Sequence, residues 1–342
     1  MADTSVANMP LRIGTRRSNL AIVQAKGVQD QLQKIAPDHT FEIEALHTLG
    51  DKDQNSALYN FGAKNLWTTE LEELLTSGKL DVIVHCLKGE CSKNSDMPTN
   101  LPDSCDLAAI PLRDDPRDAL IVKAGLPYTS LQTLPEGAII GTSSVRRSAQ
   151  LHRLFPSLRF TNIRGNVETR LAKLDDPQSE YTCIVMSACG LERIGLGYRI
   201  SQRLGSKDGG ILHAIGQGAL GLEVRKGDTK ILHLLDQLVD HKSSLACLAE
   251  RALMRTLEGG CSVPIGVETE WLDEGEAADP ILEMRAIVVS LDGSQCVEDS
   301  INAAVHTKDE ATVLGQELAA RMLKAGAATI LEDINKNRPS KD

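Results

Sequence analysis

The chain has 342 residues, 42% hydrophobic, 25% charged and 3% aromatic, and carries a net charge of −10. That length exceeds one small core and corresponds to about two or three domains. An acidic chain so poor in aromatic rings offers neither a phosphate-tracking surface nor a stacking platform, which argues against nucleic acid as a partner. No window approaches the ~18 apolar residues of a membrane helix. The segment from Met1 to Pro10 lacks the apolar run of a secretory signal, so a cytoplasmic location and no membrane partner are expected. The eight cysteines form no C-x-x-C pair and the eight histidines no H-E-x-x-H, so no metal is expected and the thiols are read as reduced.

In chain order, residues 11–15 read as a short apolar strand and 19–32 as a helix through Leu20, Val23, Val28 and Leu32. Residues 41–48 alternate as a half-buried strand. Residues 68–77 read as a helix with Thr68 as its N-cap, and 80–87 (LDVIVHCL) as a buried strand. The pattern then restarts, with strands at 119–122, 138–141, 158–163 and 182–187 and helices at 145–155 and 167–174. Strands alternating with helices imply parallel α/β sheets, and two such runs imply two α/β domains. From about residue 243 the character changes. A long amphipathic helix (243–257) is followed by strands at 283–290 and 296–305 around an Asp292-Gly293 turn, then a helical stretch at 309–335 broken at Gly326. This reads as a smaller α+β unit.

The sharpest chemical signal is a charge anomaly. Between Ser143 and Lys173 lie seven basic residues, Arg146, Arg147, Arg153, Arg159, Arg164, Arg170 and Lys173, against the single acid Glu168. Arg146 and Arg147 follow Thr142-Ser143-Ser144 at a strand-to-helix junction, and Arg164 precedes Gly165-Asn166 at a second one. Such junctions present free helix N–H groups and lie where ligands bind in parallel sheets. With no acid nearby in sequence, these forks point to a ligand with several carboxylates or phosphates rather than to a solvated basic face. Gly14-Thr15-Arg16-Arg17-Ser18 repeats the device after the first strand, so two domains are expected to face one anionic ligand.

Gly216-Gln217-Gly218-Ala219-Leu220-Gly221 matches G-x-G-x-x-G, but an extended segment follows it where a dinucleotide site needs a helix. Close backbone packing explains these glycines better. Gly259-Gly260-Cys261 places a thiol on a glycine-rich loop, which suits either a working thiol or an inert buried cysteine. Lys88, at the end of the third strand, and Asp96 beyond it suit ion pairing and proton transfer, or an ordinary polar loop.

Taken together, IGTRRSNLA (13–21), FGAKNLWTTELE (61–72), VHCLK (84–88), GTSSVRRSAQL (141–151), IRGNVETRLAKLD (163–175), GLERIGL (190–196), GQGALGLEVR (216–225) and AERALMRTLEGGCSVP (249–264) resemble the hydroxymethylbilane synthase, or porphobilinogen deaminase, family across nearly the whole chain. The resemblance implies two periplasmic-binding-protein-like α/β domains around a cleft plus a smaller α+β C-terminal domain. The expected boundaries are 1–114 with 216–240, 115–215, and 241–342. It implies stepwise deaminating condensation of four porphobilinogen molecules into a linear tetrapyrrole, followed by hydrolytic release, in a monomeric enzyme. The growing chain is anchored to a dipyrromethane cofactor held by a thioether to Cys261. Carboxylate binders would be Arg16, Ser18, Ser143, Arg146, Arg147, Arg164, Arg170 and Arg193, with Gln217 beside them. Lys88 and Asp96 would be catalytic, Asp96 stabilising the cation formed as ammonia leaves.

Two departures stand out. Cys86 replaces the family's usual Ser, and residues Gly89 to Ser95 are inserted between Lys88 and Asp96, neighbours in the family. Either the insert bulges outward and Asp96 returns to its post, or the chain is a catalytically impaired isoform that only binds anionic pyrroles. A third reading is an anion-binding module without chemistry, which leaves the Gly-Gly-Cys loop unexplained.

Overall fold

The computed structural model describes residues 10–46, 68–88, 101–257, 263–272 and 279–336. Asp96, Cys261 and the inserted residues lie outside these. Three sheets organise the described residues.

The first sheet contains β1 (Leu11–Arg16), β2 (Phe41–Leu46), β3 (Val82–Cys86), β4 (Cys105–Ala109) and β10 (Leu220–Arg225), in the order β2-β1-β3-β10-β4. The second contains β5 (Asp118–Val122), β6 (Ile139–Gly141), β7 (Arg159–Thr161), β8 (Cys183–Ser187) and β9 (Gln202–Leu204), in the order β7-β6-β8-β5-β9. The two orders are the same arrangement. In each, the fourth strand runs antiparallel to its neighbours and is supplied by a crossover between the lobes. The sheets are therefore mixed, which corrects the expectation of purely parallel ones. Local periodicity reports burial but not strand direction, and β10 and β5 are turned by connections far from them in sequence.

Helices cover both faces of each sheet. In the first lobe α1 (Asn19–Ile35) and α6 (Thr229–Asp236) pack on the face of Ile13, Val82, Val84 and Val224, while α2 (Thr69–Thr76) packs on that of Ile83 and Cys105. In the second, α3 (Val145–Leu154) covers Leu120, Ile140 and Val185. On the other side α4 (Val167–Asp175) and α5 (Ala188–Arg193) cover Ile121, Ile184 and Met186. Alternation of side chains along a strand separates the two cores of each lobe.

The third unit is the antiparallel sheet β11 (Ile265–Leu272), β12 (Ile281–Val289), β13 (Cys296–Ala304), covered by α7 (His241–Thr256), α8 (Lys308–Met322) and α9 (Ala328–Lys336). The helical break falls where the sequence places it, because Gly326 has a φ of 109° that other residues adopt only under strain. Thr68 departs from expectation. It precedes α2 but makes no side-chain cap hydrogen bond. Strands β4, β9 and β11 and helix α6 were not read from the sequence.

Candidate active site

The anomalous arginines start at the carboxyl ends of β6 and β7. Arg146 and Arg147 occupy the first turn of α3, and both are 4% exposed. Their acid is not local: it is Asp118, the first residue of β5, fully buried. Arg146 Nη1 donates to Asp118 Oδ2 at 2.7 Å and to the Leu212 carbonyl at 2.7 Å. Arg147 grips Asp118 Oδ1 through Nε (3.0 Å) and Nη2 (2.8 Å) and donates to the Val185 carbonyl. Gln217 Nε2 adds a fourth donor, at 2.9 Å from Oδ1, while also reaching the Pro116 carbonyl. Burial works against the Asp118 charge, but Arg146, Arg147 and the nearby Lys88 outweigh it and hold the carboxyl far below its ordinary range.

The arginine stretch is thus partly neutralised from outside. This amends the argument that the absence of local acids leaves these arginines to a ligand. What remains is specific. Arg146 Nε and Nη2, one side of its fork, are buried with no hydrogen-bond partner among the described residues, and so is Gln217 Oε1. A side-on carboxylate is the natural complement of that edge.

A second buried carboxylate braces the same crossovers. Glu250 of α7 accepts both Nη groups of Arg113 (2.7 and 3.1 Å), the Gly216 N–H (2.7 Å) and the Thr269 hydroxyl (2.8 Å). Its burial opposes ionisation, and Arg113 overcomes that and lowers its pKa. Arg113 Nε also donates to the Gln217 carbonyl at 2.8 Å. A continuous polar chain therefore runs from Arg146 and Arg147 through Asp118, Gln217 and Arg113 to the helix that precedes the Cys261 loop. The glycines of the G-x-G motif serve this packing. A Cβ on Gly216 would lie 2.5 Å from the Leu87 carbonyl oxygen, and one on Gly218 2.5 Å from that of Asp114, both at positive φ.

The remaining predicted residues lie around this chain. Arg193, ending α5, donates to Asp114 and to the Gly218 carbonyl, each at 2.7 Å. Ser143 donates to the Ile163 carbonyl at 2.8 Å, tying the β6 end to the residue before Arg164. Ser18 is the N-cap of α1, accepting from the Ala21 N–H at 3.3 Å. Asn19 then donates to Glu168 of α4 at 2.6 Å, so the α1 junction bearing Arg16 and Ser18 meets the α4 start flanked by Arg164 and Arg170. Lys88 is half-buried just beyond β3 and close enough to Asp118 and Cys189 to influence both. Sequence reasoning missed Asp118, Arg113, Asp114 and Glu250. A usable signal was the dense run Arg113-Asp114-Asp115-Pro116-Arg117-Asp118 against an apolar strand.

Among the described residues no cluster of His, Cys, Asp or Glu could hold a metal ion, and no helix is long and apolar enough to cross a membrane. No disulfide joins the described cysteines; burial pushes Cys183 and Cys247 up to about 12, which keeps them as thiols.

Fold and site together define a two-lobed α/β protein with a charged, cross-braced junction and an appended α+β unit. The profile described as "Porphobilinogen deaminase, dipyromethane cofactor binding domain" matches residues 11–233, and that described as "Porphobilinogen deaminase, C-terminal domain" matches residues 244–324. The chain is 50% identical to the porphobilinogen deaminase of Yarrowia lipolytica over 328 residues, 94% of this chain and 93% of that protein. It is 48% identical to that of Saccharomyces cerevisiae, over 96% of this chain and 98% of that protein. Among solved structures, the BvgS periplasmic VFT2 domain of Bordetella pertussis aligns with 67% of this chain and 86% of its own at 13% identity and a TM-score of 0.38, a likeness too slight to argue from. The chain belongs to the porphobilinogen deaminase family. It is a transferase of tetrapyrrole synthesis with a dipyrromethane cofactor-binding domain.

Proposed function

We propose that the chain condenses four porphobilinogen molecules head to tail, with loss of ammonia, and releases the linear tetrapyrrole by hydrolysis, as a monomer in the cytoplasm. The observation that carries this reading is the polar chain from Arg146 and Arg147 to α7, within a chain whose family is established over almost its whole length. The unpartnered, buried fork edge of Arg146 fits a ligand carboxylate, so the residues present suit the dipyrromethane group. When bound, that group supplies the pyrrole end at which the next unit is joined.

The rest falls to side chains of this chain. Cys261, which follows α7 in the sequence, provides the thioether anchor. Arg16, Ser18, Ser143, Arg146, Arg147, Arg164, Arg170 and Arg193 receive acetate and propionate groups, with Gln217 holding the crossover beside them. Asp96 stabilises positive charge near a pyrrole nitrogen and moves a proton at the aminomethyl nitrogen, and Lys88 pairs with the negative groups around it. The division into 1–114 with 216–240, 115–215, and 241–342 puts the arginine-rich anion site and the catalytic loop on different lobes and the anchor on the third unit.

Intact-protein mass spectrometry tests the anchor. Purified protein is expected to weigh more than its sequence by two pyrrole units, and Cys261→Ala to lack that mass. A Cys261→Ala variant carrying the same mass would overturn the assignment. Asp96→Asn is expected to stop turnover while keeping the fold; an unchanged rate would remove Asp96 from the site.

A further inference from the structure

The first lobe buries a second polar cluster that none of the roles above uses. His85 Nε2 lies 2.6 Å from Glu223 Oε2, with both side chains almost wholly enclosed. Glu72 of α2 is buried close to both, and Glu223 raises the pKa that burial of Glu72 has already lifted. The Cys105 thiol is pushed up to about 12 by burial and by the same Glu223. Among the described residues, Glu72 Oε1 and Glu223 Oε1 are buried without a well-formed hydrogen bond.

The strand geometry shows what the cluster holds. Pairing of β3 with β1 stops at Ile83, so among the described residues Val84 to Cys86 are laddered to β10. Glu223 sits opposite Ile83 on β10, and side-chain alternation puts Ile83, His85 and Glu223 on the α2 face. The register between β10 and β4 shifts at Leu222/Glu223, a bulge of the kind that re-aims a side chain near active sites. The His85–Glu223 bond therefore adds a buried side-chain tie to the half of β3 that pairs with β10 but not with β1, three residues before Lys88.

We propose that Glu223, acting through His85, is a positioning residue for Lys88: the buried tie locks the end of β3 to β10 and so helps set where the Lys88 ammonium stands. This rests on the reading that Lys88 works at the site. A residue shifted by ~1 Å can cost about a hundredfold in rate, so even partial loosening is measurable.

Steady-state kinetics on Glu223→Gln, His85→Gln, the double variant and Glu72→Gln, each normalised to the cofactor-loaded fraction by intact mass, test the tie. Glu223→Gln is expected to lower kcat about tenfold or more while KM for porphobilinogen stays within about twofold and the loaded mass is unchanged. His85→Gln should match it, and the double variant should be no worse than either, because all three lose the same carboxylate–imidazole tie. Glu72→Gln leaves that bond intact and should keep kcat within about twofold. A Glu223→Gln protein with normal kcat and only a lowered Tm would reduce the pair to a structural role, as would a Glu72→Gln protein that loses as much activity. Should Glu223→Gln fail to fold, His85→Gln decides alone. A wild-type chain that adds no pyrrole units overturns the proposed function and this role with it, whereas normal wild-type turnover with unaffected variants overturns only the role.

Discussion

The two α/β lobes share one strand order yet bury opposite kinds of charge. In the second lobe, one carboxylate, Asp118, meets two arginines and an amide with well-formed hydrogen bonds, and its pKa falls. In the first, two carboxylates, Glu72 and Glu223, lie by one histidine; one oxygen of each lacks a well-formed hydrogen bond among the described residues, and the Glu72 pKa rises. A common topology thus fixes where helices and strand ends lie, while the pairing of buried groups decides how each lobe responds to protons and substitutions.

The largest effect expected from breaking this contrast is in the second lobe. Asp118→Ala leaves two buried arginines without their acid and should cost about 3–5 kcal/mol in urea unfolding. A loss well below that would mean the arginines find other partners and that Asp118 does not organise them.

Proton titration should separate the lobes by sign. Asp118 has a folded pKa below its ordinary 3.8, so its contribution is present above that value and lost as pH falls below it. Glu72 has a folded pKa above its ordinary 4.5, so its contribution is present below that value and lost as pH rises through the shifted pKa. Hydrogen exchange should accordingly show β5 loosening first on acidification. Glu72→Gln should stabilise the protein at neutral pH and flatten its loss of stability toward neutral pH. A Glu72→Gln protein less stable than wild type would show that the Glu72 charge is compensated after all.

The smallest effects compare the two helix starts that meet at Asn19 and Glu168. Ser18 caps α1 and Asn166 caps α4, the latter accepting from Thr169 N–H at 2.8 Å. Replacing either by Ala should cost about 1 kcal/mol of stability. Activity lost by Ser18→Ala beyond that of Asn166→Ala would mark the Ser18 hydroxyl as a ligand contact.

Local features were legible in the sequence. The strand-to-helix junctions carrying Arg16, Arg146 and Arg164 lie where the pattern puts them, and the α8–α9 break falls at Gly326. Non-local pairing was not. Asp118 precedes Arg146 by 28 residues and lies just before the strand read at 119–122. Glu250 meets Arg113 across 137 residues. A burial pattern shows that a position is inside; it does not show which distant charge meets it there, and that meeting decides whether an arginine is held by the fold or left to a ligand.

The most direct test of the account is the intact mass of the wild-type protein after brief incubation with porphobilinogen. The account predicts a loaded starting mass followed by a ladder of single pyrrole-unit additions, showing that anchor, arginines and catalytic loop act together despite the Gly89 to Ser95 insertion. A loaded protein that forms no ladder would contradict it and identify the chain as one that binds anionic pyrroles without joining them.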